Sequence, residues 1–461
     1  MMNVWKGKHL VIVGAARQGL ALAKCLSRKG VKITITDQKD AEMLQQVVKD
    51  FQGEGIQWEL GGHPLSLLDE ADGLSLSGGI PLDIPFVKEA IRRKIPLTND
   101  SQVFLELTPC PVIGITGSAG KTTTTMLVGS MVEDFYGRER SWVGGNIGNP
   151  LIAVVDDIGP DHLAVVELSS FQLELMTLSP QVACVLNVTP NHLDRHHSME
   201  AYTRAKARIL DFQTASDIAV LNRDDPGSWS LEGQVKGRLV SFGVTSPQGS
   251  LPGTFLSGDQ IAYWDGASAE MLLPVSSVRL RGSHNLVNVL AACAIGMAVE
   301  LPLESIQRGV ESLEGVEHRL QQVRRWKNAD WVDDSIATAP ERTIAAIKSF
   351  DEPLVLLAGG KDKDLPWENL VRLIHQRVRY LILFGEAADL IERYLKTVLE
   401  PGQQGVTYRK CRGLQDAVRL ADEIVQPGDV VLLSPGGTSF DEFVDFAQRG
   451  DRFRQWVQEL N

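Results

Sequence analysis

Cysteine is scarce. Five residues, Cys25, Cys110, Cys184, Cys293 and Cys411, are scattered over 461 positions with no CxxC pair and no Cys/His cluster at ligand spacing. This argues against a disulfide scaffold and a zinc site, and it fits buried thiols in a reducing compartment. An excess of positive charge is also missing. With 46 Lys and Arg against 58 Asp and Glu, the formal charge is -12. The chain therefore has no basic field for a nucleic-acid backbone or an anionic membrane surface, and an anionic substrate must be met by a local pocket. Long apolar runs are absent too: the stretch around Leu290 to Val299 falls short of the ~18 residues that span a bilayer. Lys6, Lys8 and His9 before Leu10 to Val13 mimic a leader peptide, but Gly14 and Arg17 interrupt the run, and a first strand is the better reading. A cytoplasmic protein with small-molecule partners, no stable membrane association and a monomeric state is expected.

What is present is enough apolar material, 43% of the chain, for several cores, and roughly 150 residues per domain suggests about three. The pattern predicts an α/β protein. Its expected parts are a Rossmann-like domain over 1–99, a central P-loop ATPase-type domain over 100–314 and a second Rossmann-like domain over 315–461. Residues 10–36 read as strand, Gly-bearing turn (Gly14 to Gly19), amphipathic helix and strand, ending at Asp37. A Pro-rich turn from Ile95 to Pro111 marks the first boundary, cut near Asn99. The central block has strands near 112–116, 162–168 and 182–188, a Gly/Ser/Pro-rich stretch from Thr245 to Asp259, and a helix from about His284 to Val299. After Gly315 strands and helices alternate, with strands ending at Val332, Leu357, Phe384 and Leu433. Ligands gather beyond the carboxyl ends of such strands. Here those ends carry Asp333-Asp334-Ser335, Gly359-Gly360-Lys361, Gly385-Glu386 and Ser434-Pro435-Gly436-Gly437.

The most informative segment is Gly117-Ser118-Ala119-Gly120-Lys121-Thr122-Thr123, which follows a strand and opens a helix. Its glycines allow backbone N–H groups to close on phosphate oxygens, Lys121 can reach the outer phosphates and Thr122 can touch Mg²⁺. Ile115 stands where the strict GxxxxGK(S/T) pattern has its first glycine, and a plain strand-to-helix turn is the bland alternative. Glu167 ends a strand in a place suited to a carboxylate–Mg²⁺ contact, or is an ordinary strand-end acid. His192 and Asp194 fall at the same sheet edge. Taken alone, Lys206 reads as part of a solvated basic helix face with Arg204 and Arg208.

The ordered set TGSAGKTT (116–123), GGNIGNP (144–150), ELSSFQLE (167–174), NVTPNHLDRH (187–196), GSHNLVN (282–288), HRL (318–320), DDSIAT (333–338) and SPGGTSFDEF (434–443) resembles the Mur ligases along the whole chain. The resemblance implies three domains that bind a UDP-sugar, ATP and an incoming amino acid. It also implies a reaction in which ATP phosphorylates a carboxylate, an amine attacks the acyl phosphate, and phosphate leaves. By that resemblance Lys121, Glu167, His192 and Lys206 are catalytic. Thr122, Glu167, His192 and a carbamylated Lys206 face Mg²⁺. Gly117 to Thr123, Asn285, Asn288, Arg319 and Asp334 surround ATP. Arg17, Gln18, Asp37, Lys39, Ser77, Gly78, Gly79, Asn146 and Ser169 contact the UDP-sugar. The first turn also resembles a dinucleotide fingerprint, with Asp37 as the ribose-binding acid, but it lacks the middle glycine. An NAD(P) dehydrogenase would leave Lys121, Glu167 and His192 without a role.

Within the family, the resemblance implies addition of D-glutamate to UDP-N-acetylmuramoyl-L-alanine in peptidoglycan-precursor synthesis; the alternative is a Mur ligase with another amino acid. D-glutamate brings two carboxylates, and Thr338, Lys363, Ser439 and Phe446 match its expected pocket. One departure stands out: the family's usual DSKAT is DSIAT here, so Ile336 cannot donate the charge-assisted hydrogen bond of a lysine. Arg342 or Lys361, near strand ends of the last block, is expected to compensate.

Overall fold

Runs such as His9-Leu-Val-Ile-Val13 are buried at every position, which requires helices on both faces of the sheet and hence parallel strands joined by crossovers. A computed structural model describes residues 5–148, 150–191, 193–280, 282–313, 317–363, 365–399 and 405–461. Its first sheet contains β1 (His9–Val13), β2 (Lys32–Asp37), β3 (Ile56–Leu60), β4 (Gly73–Leu76) and β5 (Leu97–Thr98). They lie in the order β3-β2-β1-β4-β5, all parallel. The order reverses at β1, so its carboxyl end opens on a crevice.

The second sheet contains β6 (Val112–Thr116), β7 (Ser141–Gly145), β8 (Leu163–Glu167), β9 (Val182–Val185), β10 (Ile218–Asn222), β11 (Arg238–Phe242), β12 (Gly253–Ser257), β13 (Gln260–Trp264) and β14 (Ala269–Pro274). Their order is β14-β13-β12-β11-β10-β9-β6-β8-β7, and β6 pairs in parallel with β8 and β9. The Gly/Ser/Pro-rich stretch is not merely a loop: β12 lies inside it and begins an antiparallel meander.

The stretch from Ile95 to Pro111, expected as a turn, holds β5 and a helix, Asp100–Leu107. Asn99 caps that helix by accepting from Gln102 N at 2.8 Å. Its amide also donates to Gln172 O at 2.8 Å, so Asn99 ties the connection between the first sheet and the second to the wall of the second. Both sheets accordingly belong to one compact unit, Met1–Val278 with Val287–Ser312.

Arg279–Leu286 with Leu313–Asn461 form the other unit. Its sheet contains β15 (Gln321–Trp326), β16 (Ala329–Asp333), β17 (Leu354–Gly359), β18 (Val378–Phe384), β19 (Thr407–Lys410) and β20 (Val430–Gly436), in the order β15-β16-β20-β17-β18-β19. Only β15 is antiparallel to its neighbour. The carboxyl ends of β16, β20 and β17 therefore lie side by side. Gly359, at φ +151°, must be glycine there, because a Cβ would sit 1.8 Å from Phe384 O.

Candidate active site

β6 leads into the phosphate loop and the helix Lys121–Tyr136. Gly120 takes a left-handed conformation (φ 82°) at the helix start, and a Cβ there would lie 2.2 Å from Asn288 Oδ1. Asn288 is thus seated against the loop. Asn187, just beyond β9, grips the loop from the other side. Its Oδ1 accepts from Ala119 N at 2.8 Å, its Nδ2 donates to Ala119 O at 3.1 Å, and its own carbonyl accepts from Ser118 N at 3.0 Å. The Ser118 hydroxyl donates to Thr189 O and accepts from Tyr202 Oη at 3.0 Å. Lys121 Nζ donates to Gly117 O at 2.9 Å. A helix N-terminus shaped this way directs orphan N–H groups and positive potential at an anion.

Glu167, 2% exposed at the end of β8, is fixed at both oxygens. Thr122 Oγ1 donates to Oε2 at 2.8 Å and Asn146 Nδ2 to Oε1 at 3.0 Å. The carboxylate and the hydroxyl are hard oxygen donors one hydrogen bond apart, and that chemistry fits Mg²⁺ with phosphates and waters completing the shell. Among the described residues there is no cluster of three or more His, Cys, Asp or Glu placed for a metal. His192 lies outside the described residues, as does the Asp194 side chain.

The solvated-face reading of Lys206, taken from its neighbours alone, does not hold. The residue is 1% exposed, its Nζ donates to Gly117 O at 2.9 Å and lies 4.7 Å from the Tyr202 ring centroid. Burial and the Lys121 ammonium push its pKa down to about 6, against the opposing pull of Glu167. A buried amine that is neutral near pH 7 is a nucleophile.

At the first turn, Asp37 Oδ2 accepts from Ala15 N at 2.7 Å and Oδ1 from Lys39 N at 2.9 Å. Gln18 Oε1 accepts from Gly78 N at 3.1 Å, and Ser77 Oγ donates to Gly14 O at 2.8 Å. Arg17 is exposed beside them. A cavity of ≈ 340 Å³ opens there, lined among others by Ser77, Gly78, Gly79, Phe171, Arg195 and His196. Arg195 was not foreseen; it stacks on Phe171 and donates to Gly79 O at 2.8 Å. Ser169 caps the helix that forms this wall, exchanging bonds with Gln172.

In the other unit, Asp334 is buried. It accepts from Ser434 Oγ at 2.7 Å and Leu320 N at 3.3 Å. Burial pushes its pKa up to about 7, against that serine bond and the charge of Arg319. Asn285 opens the helix Ser283–Ala298, its N–H bonded to Gly282 O. The residues expected around an amino acid follow the carboxyl ends of β16, β17 and β20 in the chain. Thr338 N donates to Ile336 O, Ser439 is buried, and the Phe446 ring meets the His318 ring edge-on at 6.2 Å. Lys363 is lowered by burial and by the Arg342 and Arg449 guanidiniums. Arg449, unmarked in the sequence, is fully buried and donates to Ser335 Oγ and O, Gly437 O and Thr438 O. Of the two expected substitutes for the missing lysine, Lys361 turns to Glu386, 3.9 Å away, whereas Arg342 donates to Ile336 O at 3.1 Å.

Comparison with known proteins matches three segments of the chain. Residues 8–99 match the MurD-like N-terminal domain of Mur ligases, 115–296 the Mur ligase middle domain, and 318–437 the Mur ligase glutamate ligase domain. A UDP-N-acetylmuramoylalanine–D-glutamate ligase from Symbiobacterium thermophilum is 38% identical over 461 residues, all of both chains. One from Pelotomaculum thermopropionicum is 36% identical over 461 residues, 100% of this chain and 99% of the relative. The crystal structure of UDP-N-acetylmuramate-alanine ligase from Thermotoga maritima shares the fold, with TM-score 0.60 and 17% identity over 98% of this chain and 99% of that one. The MurF ligase of Thermotoga maritima, solved in complex with ADP, shares it at TM-score 0.55 and 18% identity over 89% and 91%. With three family segments matched in order along one chain and full-length relatives at 36–38% identity, this protein belongs to the Mur ligase family.

Proposed function

We propose that this chain is an ATP- and Mg²⁺-dependent ligase that joins D-glutamate to UDP-N-acetylmuramoyl-L-alanine in peptidoglycan-precursor synthesis. The observation that carries the reading is full-length likeness, at 36–38% identity, to relatives named for that reaction. In this reading residues 1–99 receive the UDP moiety, 100–314 ATP and 315–461 the amino acid.

Lys121 and the loop backbone would neutralise the ATP phosphates, and Thr122 with Glu167 would hold Mg²⁺. When bound, the metal supplies charge neutralisation on the transferring phosphoryl group. Lys206, as the neutral amine, would form an N–C bond to CO₂ and release a proton to solvent, leaving a carbamate anion in place of the ammonium that Lys121 repels. Asn146, Ser169 and the turn around Asp37 and Gln18 orient the nucleotide sugar. Asn285, Asn288, Arg319 and Asp334 serve the adenine nucleotide. Thr338, Lys363, Ser439 and Phe446 seat D-glutamate. The L-alanyl carboxylate takes the γ-phosphoryl group, the D-glutamate amine attacks the resulting acyl carbon, and phosphate leaves with one carboxylate oxygen. With ¹⁸O in that carboxylate, one label is expected in the released phosphate; unlabelled phosphate contradicts the acyl-phosphate route.

A further inference from the structure

A dicarboxylic amino acid needs two cationic or well-directed donor groups, and among the four residues assigned to its seat only Lys363 is charged. The cations of this sheet edge can be sorted by what already occupies them. The Arg449 guanidinium is fully buried and its donors go to Ser335 Oγ and O, Gly437 O and Thr438 O. Lys361 faces Glu386 at 3.9 Å. Arg319 acts on Asp334 and His284. Arg342 differs: among the described residues it donates to one acceptor, Ile336 O at 3.1 Å, and pairs with no carboxylate.

Arg342 also lies close enough to Lys363 to disfavour its charge, as does Arg449. Like charges are held together at this edge, an arrangement that an incoming anion relieves. A guanidinium has five N–H donors in a fixed fork, so the bond to Ile336 O anchors Arg342 to the loop that carries Thr338 while leaving donors to spare. Glu341 precedes it on the helix Pro340–Ile347, and consecutive helical residues do not face each other.

We propose that Arg342 is a specificity-determining residue that binds one carboxylate of the amino-acid substrate while Lys363 binds the other. The inference rests on the ligase reading above and deepens it.

The test is steady-state kinetics of the full chain with Arg342→Met, Arg342→Lys and the double variant Arg342→Met with Ile336→Lys. Loss of a charge-assisted hydrogen bond should raise the D-glutamate KM about 10- to 100-fold in Arg342→Met. The KM values for ATP and for the nucleotide sugar should stay within about 2-fold. Arg342→Lys should retain part of the affinity, and Ile336→Lys should restore part of it by placing an ammonium on the same loop. An unchanged D-glutamate KM in Arg342→Met, or an equal rise for all three substrates, overturns the proposal. If the wild type prefers a different dicarboxylic amino acid, the choice of D-glutamate fails and the same variants are read with that substrate. A wild type that prefers a monocarboxylic amino acid overturns both.

Discussion

Lys121 and Lys206 donate to the same acceptor, the carbonyl oxygen of Gly117, each at 2.9 Å. Burial first and the neighbouring Lys121 ammonium second disfavour the charged form of Lys206 and bring its pKa down to about 6. An ordinary lysine stays protonated to about pH 10. In ¹³C-bicarbonate at pH 7.5 the protein should therefore show a carbamate resonance that Lys206→Ala lacks. The signal should fade as pH falls through about 6 and the amine gains a proton. A wild-type spectrum identical to that of Lys206→Ala contradicts this reading.

Asn187 holds Ala119 by both ends of its amide. Removing it frees the loop that the proposed function assigns to the ATP phosphates, at about 1 kcal/mol per lost bond. Asn187→Ala should raise the KM for ATP about 10-fold and leave the amino-acid KM near its original value. Equal KM values for ATP in the two proteins would show that the loop holds its shape without Asn187.

The strand, glycine turn and helix around Lys121 were legible because they are consecutive in sequence, and so was the first βαβ unit. Lys206 misled because Arg204 and Arg208 flank it. Residues two apart on a helix point to opposite sides, so 204 and 208 share one face and 206 the other. The buried set Tyr202, Ala205, Lys206 and Ile209 has the spacing that would have revealed this. Pro96, Pro109 and Pro111 hid the helix Asp100–Leu107, although Asn99 ahead of Val103 and Phe104 is a cap signal. Arg449 left no local mark, because its acceptors come from loops more than a hundred residues apart. The assignment of Thr338, Lys363, Ser439 and Phe446 to an amino-acid seat rests on resemblance, since the four are far apart in sequence and share no local pattern.

Asp100 is buried, its Oδ1 has no hydrogen-bond partner, and burial raises its pKa from 3.8 to about 6. Between those values the folded chain keeps a proton that the unfolded chain has released, so stability falls as pH rises through that window. Asp100→Asn cannot titrate. The stability difference between wild type and variant, from urea unfolding, should shift by about 2.5 kcal/mol between pH 4 and pH 7, to the disadvantage of the wild type at the higher pH. A pH-independent difference would mean that Asp100 titrates normally in the fold.

Arg449 joins Ser335, beyond β16, to Gly437 and Thr438, beyond β20. Arg449→Met keeps much of the volume but strands these buried acceptors. A loss of about 3 kcal/mol or more is expected in the unfolding of the unit that contains β15 to β20. A change below about 1 kcal/mol would show that solvent replaces the guanidinium.

Phosphate release from ATP and Mg²⁺ with UDP-N-acetylmuramoyl-L-alanine decides whether the chain is the D-glutamate-adding ligase. D-glutamate, L-glutamate, L-alanine, lysine and D-alanyl-D-alanine should be supplied in turn. The expected result is turnover that requires both the nucleotide sugar and D-glutamate. Silence with D-glutamate and turnover with another of these acceptors would contradict it.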